Sequence, residues 1–153
     1  MIRIVCSIVL ILLICPTQAA AAGWDDYKPN SIARMKADHA GVNEDMDFHF
    51  TPGIPFRSTV RYLGKTRAIQ AERLIFIEMW AQSHRMSSII VEAFEKEILV
   101  REEDQSYWLP IQNVLIPHIE KEVKENANVT LFLVFAGATK NDQVFLVNEF
   151  KAR

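Results

Sequence analysis

Hydrophobic and polar positions change their period several times along this chain, and each change marks an element. Phe56 to Leu63 mixes β-branched, aromatic and basic residues, follows a break at Pro52-Gly53-Ile54-Pro55 and stops at Gly64-Lys65, which predicts a first strand. Arg73 to Trp80 (RLIFIEMW) reads as a second strand. Ile89 to Ala93 and Glu97 to Arg101 read as a third, bent or bulged near Phe94 to Lys96. Glu102 to Ser106 is a turn, and Tyr107-Trp108-Leu109 returns as a short extended piece. The period then becomes helical: Ile111, Val114, Leu115, Ile119 and Val123 share one face. Pro110 suits the first turn of that helix, whereas Pro117 removes a hydrogen bond in its middle and predicts a kink or two short helices. Glu120, Lys121, Glu122, Lys124 and Glu125 form its solvated side, and Asn126 ends it. Val129 to Ala136 is apolar on both faces and predicts a central strand covered on both sides. Gly137 to Asp142 is a turn, and Gln143 to Phe150 is the last strand.

The expected fold is therefore mainly β with one helix, in the order β-β-β-α-β-β. That is the order of an OB-fold-like five-stranded barrel. A twisted five-stranded sheet carrying one helix is the competing architecture. Upstream, Gly23 to Asp47 is polar. Within it Pro29-Asn30-Ser31, then Ile32, Met35 and His39, then Gly41, spell a short capped helix. Trp24 and Tyr27 are expected to pin this N-terminal arm to the domain. The expected organisation is a leading segment at 1–22, an arm at 23–52 and one β domain at 53–153.

The leading segment carries a single charge, Arg3, followed by aliphatic Ile4 to Ile14 and small residues Ala19 to Ala22. This is the layout of a signal peptide cleaved after Ala20 or Ala22. Its apolar run, about 11 residues, is short of the roughly 20 that span a bilayer. Cleavage after Ala22 leaves 131 of the 153 residues and removes both cysteines, Cys6 and Cys15. The remaining domain is then held by its core without disulfides, and thiol chemistry is excluded from it. The expected address is the periplasm or the cell exterior. A formal charge of −2, or −3 without Arg3, argues against nucleic acid as a partner, since that binding depends on neutralising phosphates. Asn128-Val129-Thr130 matches a glycosylation sequon and reads as a chance match in a bacterial chain.

Tyr107-Trp108-Leu109-Pro110-Ile111-Gln112, Val129-Thr130-Leu131-Phe132, Phe145-Leu146-Val147-Asn148-Glu149-Phe150 and Trp24-Asp25-Asp26-Tyr27-Lys28-Pro29 together resemble segments of small exported bacterial proteins of uncharacterised function. The resemblance spans most of the chain after the leading segment. It implies an OB-like domain and an exported bacterial protein, and it implies no activity or catalytic residue.

Catalytic signals are weak. His39, His49, His84 and His118 have no metal-ligand spacing; His118 and Glu122 suit a surface i,i+4 pair. Ser58, Ser87 and Ser88 lie in no nucleophile motif, and no glycine-rich phosphate loop is present. Glu95, Glu97, Glu102, Glu103 and Asp104 could supply a carboxylate pair for a small periplasmic hydrolase. That reading is the alternative to a non-enzymatic module, and a structural homo-oligomer joined through edge strands is a third. No cofactor is expected.

The binding signal is a run of cations. Arg57, Arg61, Lys65 and Arg67 occur with no acidic residue from Thr51 to Ala71, and Tyr62 interleaves with them. Arg57 and Arg61 share one face of a strand. The functional expectation is a site for an anionic small ligand, an acidic glycan or an envelope protein. The structural alternative pairs these cations with Glu95 to Asp104 across the sheet. Asn148 interrupts the apolar last strand, where alternation would place it on one face with Leu146 and Phe150. Buried there it would need hydrogen bonds, either to hold a corner of the sheet or to meet a ligand.

Overall fold

The computed structural model describes residues 23–40 and 47–153, with the side chain of Trp24 outside that description. The expected signal segment with both cysteines, and Gly41, lie outside the described residues.

After a 3-10 turn at Trp24–Asp26, the elements are β1 (Lys28–Pro29), α1 (Ile32–Asp38), β2 (Phe48–Ala68), α2 (Ala71–Ser83), α3 (Ser88–Glu92), β3 (Lys96–Glu102), β4 (Gln105–Ile111), a 3-10 turn (Asn113–Leu115), α4 (Ile116–Glu122), β5 (Asn128–Thr139) and β6 (Gln143–Ala152). The protein is mainly β, as expected. Its six strands form one sheet in the order β1-β2-β3-β4-β6-β5, and β5 pairs again with β2. The long strands are antiparallel neighbours except β4 and β6, which meet in parallel at Ile111 and Val147.

Several expectations are corrected. There are four α-helices among the described residues, not one. The segment read as a second strand, Arg73 to Trp80, lies inside α2. Its buried residues are Arg73, Phe76, Ile77, Trp80 and Ala81, a helical spacing of 3, 4, 7 and 8 from the first. Ile75 and Met79 stay exposed and fill the opposite face with apolar side chains, which hides that period in the sequence. Ile89 to Ala93 falls largely in α3, where the Ser87 hydroxyl accepts from the Ile89 amide. The real second long strand is β3, and the short piece at Tyr107 is the full strand β4, pairing residue for residue from Lys96–Ile111 to Glu102–Gln105.

Smaller differences have similar causes. The Pro52-Gly53 break lies within β2, which absorbs it as a register shift between Phe50 and Ile54. Pro110 belongs to β4 opposite Glu97, while Pro117 opens α4, where a missing N–H costs nothing. Where a kink or two short helices was expected at Pro117, a 3-10 turn at Asn113–Leu115 runs into α4, and Pro117 lies in the first turn of α4. On β6, Asn148 is skipped in the pairing, so strict alternation fails there.

The core has two parts. One joins Phe56, Val60, Ile98, Val100, Leu109, Leu131, Leu133, Phe135 and Val147 of the strands with Ile32 and Met35 of α1 and Ile119 of α4. The other places Phe76, Ile77 and Trp80 of α2 against Ala136, Val144 and Leu146. Strand β5 therefore feeds both clusters, as its doubly apolar pattern predicts.

Candidate functional site

Alternation along β2 buries Phe56, Ser58 and Val60 and exposes Arg57, Thr59 and Arg61. Register then builds a surface from this exposed set. Arg57 lies opposite Phe132 and Thr59 opposite Thr130 on β5; Thr130 lies opposite Lys151 on β6. The arm runs alongside, since β1 pairs Pro29 with Arg57 and the Asn30 amide donates to the Arg57 carbonyl. Between the arm and this sheet face is a groove of about 810 Å³. Among the described residues, Arg34, Arg57, Lys151 and Arg153 line it, and no Asp or Glu side chain does.

The four cations are held differently. Arg153 donates from Nε to Thr130 Oγ1 at 3.3 Å and from Nη2 to Thr59 Oγ1 at 3.1 Å. Arg34 has a solvated i,i+4 partner, Asp38, at 3.7 Å, an arrangement that contributes little. The side chains of Arg57 and Lys151 have no ion pair or hydrogen bond among the described residues. Phe132 in the groove floor is 7% exposed, with the Tyr27 ring edge-on at 5.4 Å between centroids. Tyr27 thus pins the arm as expected.

Of the five sequence-derived candidates, only Arg57 lines this groove. Arg61 faces a neighbouring hollow with Arg101, Glu103 and Asp104. Tyr62 is 3% exposed and belongs to the core. Burial pushes its phenol above the ordinary pKa of 10.0, with the Glu120 charge adding to the rise and a hydrogen bond with Thr66 opposing it. Lys65 is exposed after Gly64. Arg67 lies opposite Glu97, bonds its Oε1 at 2.6 Å, and covers the Trp108 ring at 4.0 Å. Cross-strand charge balance therefore describes Arg67, whereas Arg61 faces Arg101 and is balanced by no partner in its own register. Sequence reasoning missed Arg34, Lys151 and Arg153, because only register and the docking of α1 bring them beside Arg57.

The acidic stretch is dispersed. Glu97 is fully buried and binds Arg67 and Arg73. Glu102 accepts from the Ile32 and Ala33 amides at 3.0 Å each and from Ser58 Oγ at 2.5 Å. Glu103 and Asp104 are exposed at the β3–β4 turn. His118 makes the i,i+4 contact with Glu122, at 3.6 Å. Among the described residues, no three side chains of metal-ligating type group together, and no helix is long and apolar enough to cross a membrane. No protein-family model matches this chain, and no curated protein sequence does.

Proposed function

We propose that this chain is an exported binding module of the bacterial cell envelope, built on an OB-like barrel, which holds an anionic ligand or partner in the groove across β2, β5 and β6. The leading Arg3–Ala22 segment supports the exported address. The return of β5 onto β2, with a helix between β4 and β5 and parallel contact of β4 with β6, supports the barrel. The observation that carries the function is the groove lining: four cations and, among the described residues, no Asp or Glu side chain. Clustering like charges is unfavourable unless a counter-charge joins them. Water and salt screen that cost at an open surface, so the arrangement persists and is available to an anion.

The test is retention of the purified 23–153 chain on a heparin column. Wild type is expected to be retained and to elute with salt, and the Arg57→Glu/Lys151→Glu variant to flow through with an unchanged melting temperature. Equal retention of the two proteins, or flow-through of wild type, removes the groove as an anion site.

A further inference from the structure

We infer that the group bound in this groove is a tetrahedral oxyanion with two charges, a phosphate monoester, in preference to a carboxylate; the inference rests on the anion-binding reading above. Three observations carry it.

The first is charge count. Arg57 and Lys151 have no counter-ion among the described residues, and Arg153 is tied only to neutral hydroxyls. One carboxylate would balance one of these three cations, while a phosphate monoester carries close to two charges near neutral pH.

The second is the direction of the donors. Thr59 and Thr130 lie 3.5 Å apart, Oγ1 to Oγ1, and both accept from the single guanidinium of Arg153. Only one hydroxyl proton can lie between them, so at least one remains to be donated outward. The groove thus offers side-chain donors from Arg57 of β2 and Lys151 of β6, at least one of the two threonine hydroxyls, and Arg34 of α1. A ligand bearing three acceptor oxygens in a non-planar array can use several of these at once. A planar carboxylate has two oxygens, and guanidinium forks bind phosphate as readily.

The third is what the groove lacks. Phe132, the one aromatic among the described lining residues, is 7% exposed and packs against Tyr27 in a T-shaped contact, so the described residues offer little ring surface for stacking a sugar or base. The amides at the start of α1 are taken by Glu102. Recognition therefore falls on the side-chain donors. The groove, at about 810 Å³, is larger than a bare ion and leaves room for the body of an ester.

The experiment is a ¹⁵N-amide NMR titration of the 23–153 chain at constant ionic strength with inorganic phosphate, inorganic sulphate and glucuronate. Phosphate and sulphate are expected to shift the amides of residues 57–59, 130 and 151, with glucuronate at least about tenfold weaker, the worth of one charge-assisted hydrogen bond. Arg57→Ala and, separately, Lys151→Ala should each weaken phosphate about tenfold while keeping the wild-type amide spectrum elsewhere. Glucuronate as effective as phosphate would overturn the oxyanion assignment and leave the anion site standing. Heparin retention without any response to phosphate or sulphate would overturn it equally. No response to any anion, heparin included, would remove both readings. Flotation with phosphatidylcholine vesicles containing phosphatidic acid separates the two sources of the ester. Binding competed by inorganic phosphate indicates a lipid headgroup, and no vesicle binding alongside the NMR shifts indicates a soluble ester. Vesicle binding that phosphate does not compete overturns the assignment.

Discussion

Glu102 takes three hydrogen bonds from two separate parts of the chain, and so fastens the arm to the sheet. Its Oε1 accepts from the Ile32 amide and Ser58 Oγ, and its Oε2 from the Ala33 amide. Ser31 caps the same helix by accepting from the Arg34 amide, so α1 is capped once locally and once from β3. Removing the carboxylate leaves two amides and a hydroxyl without acceptors, which costs about 1–3 kcal/mol for a buried group of this kind. Glu102→Ala is therefore expected to lower unfolding stability by about 2–3 kcal/mol in urea, with amide exchange accelerated first at Ile32 and Ala33. Unchanged exchange at those two amides would show that Ser31 alone holds the helix start. Asn148 is a second residue whose surroundings explain its identity. It accepts from Gln112 Nε2 at 3.2 Å and donates to the Tyr27 hydroxyl at 3.4 Å, so the expected hydrogen bonds are found and run to the end of β4 and to the arm. As the residue skipped in the β5–β6 pairing, it lets Val147 and Phe150 both pack on the first core cluster, while Leu146 packs on the second.

At the scale of elements, α2 is the clearest case of a helix written in residues that favour strands. Phe76 and Ile77 are fully buried, Ile75 is 50% exposed, and all three lie in the strand-like run Arg73 to Trp80. In a strand Ile75 and Ile77 would share a face; in α2 they diverge. Substitution separates these cases. Phe76→Ala should cost about 3–5 kcal/mol through the cavity it leaves, whereas Ile75→Glu should change stability by no more than about 0.5 kcal/mol. Comparable losses at both positions, measured by chemical unfolding, would contradict the helix. Gly137 shows the opposite constraint. Its φ is +138°, and an added Cβ would overlap the carbonyl oxygen of His49, so the close approach of β2 to β5 there requires glycine.

Across the whole molecule, one chain of charges links five segments. Lys36 of α1 bonds Asp142 at 3.2 Å; Asp142 bonds Arg73 of α2 at 2.8 Å; Arg73 bonds Glu97 of β3, and Glu97 bonds Arg67 of β2. Glu97 is fully buried, so its charge depends on both arginines. Arg73→Ala is expected to destabilise by about 3–5 kcal/mol, because it leaves a buried carboxylate with one partner and frees α2. Arg67→Ala should cost less, since Arg67 is the more exposed of the two arginines. The reverse ranking in thermal or urea unfolding would place the weight of the network on the β2 side. Much of this protein was legible before its structure. Ser31 before Ile32 and Met35 specifies a capped helix, and the doubly apolar run at Val129 to Ala136 specifies a covered strand. Each depends on neighbours a few residues away. Whether Arg73 to Trp80 would be strand or helix, and which cations would meet, depended on partners far along the chain. Arg57 was visible as part of a basic run, but Arg61, Lys65 and Arg67 went elsewhere, while Lys151, Arg153 and Arg34 came to it. Local sequence sets the period of each segment. The pairing of β2 with β5, of β5 with β6, and the docking of α1 set which exposed faces become one surface, because long-range hydrogen bonds and core burial choose the register.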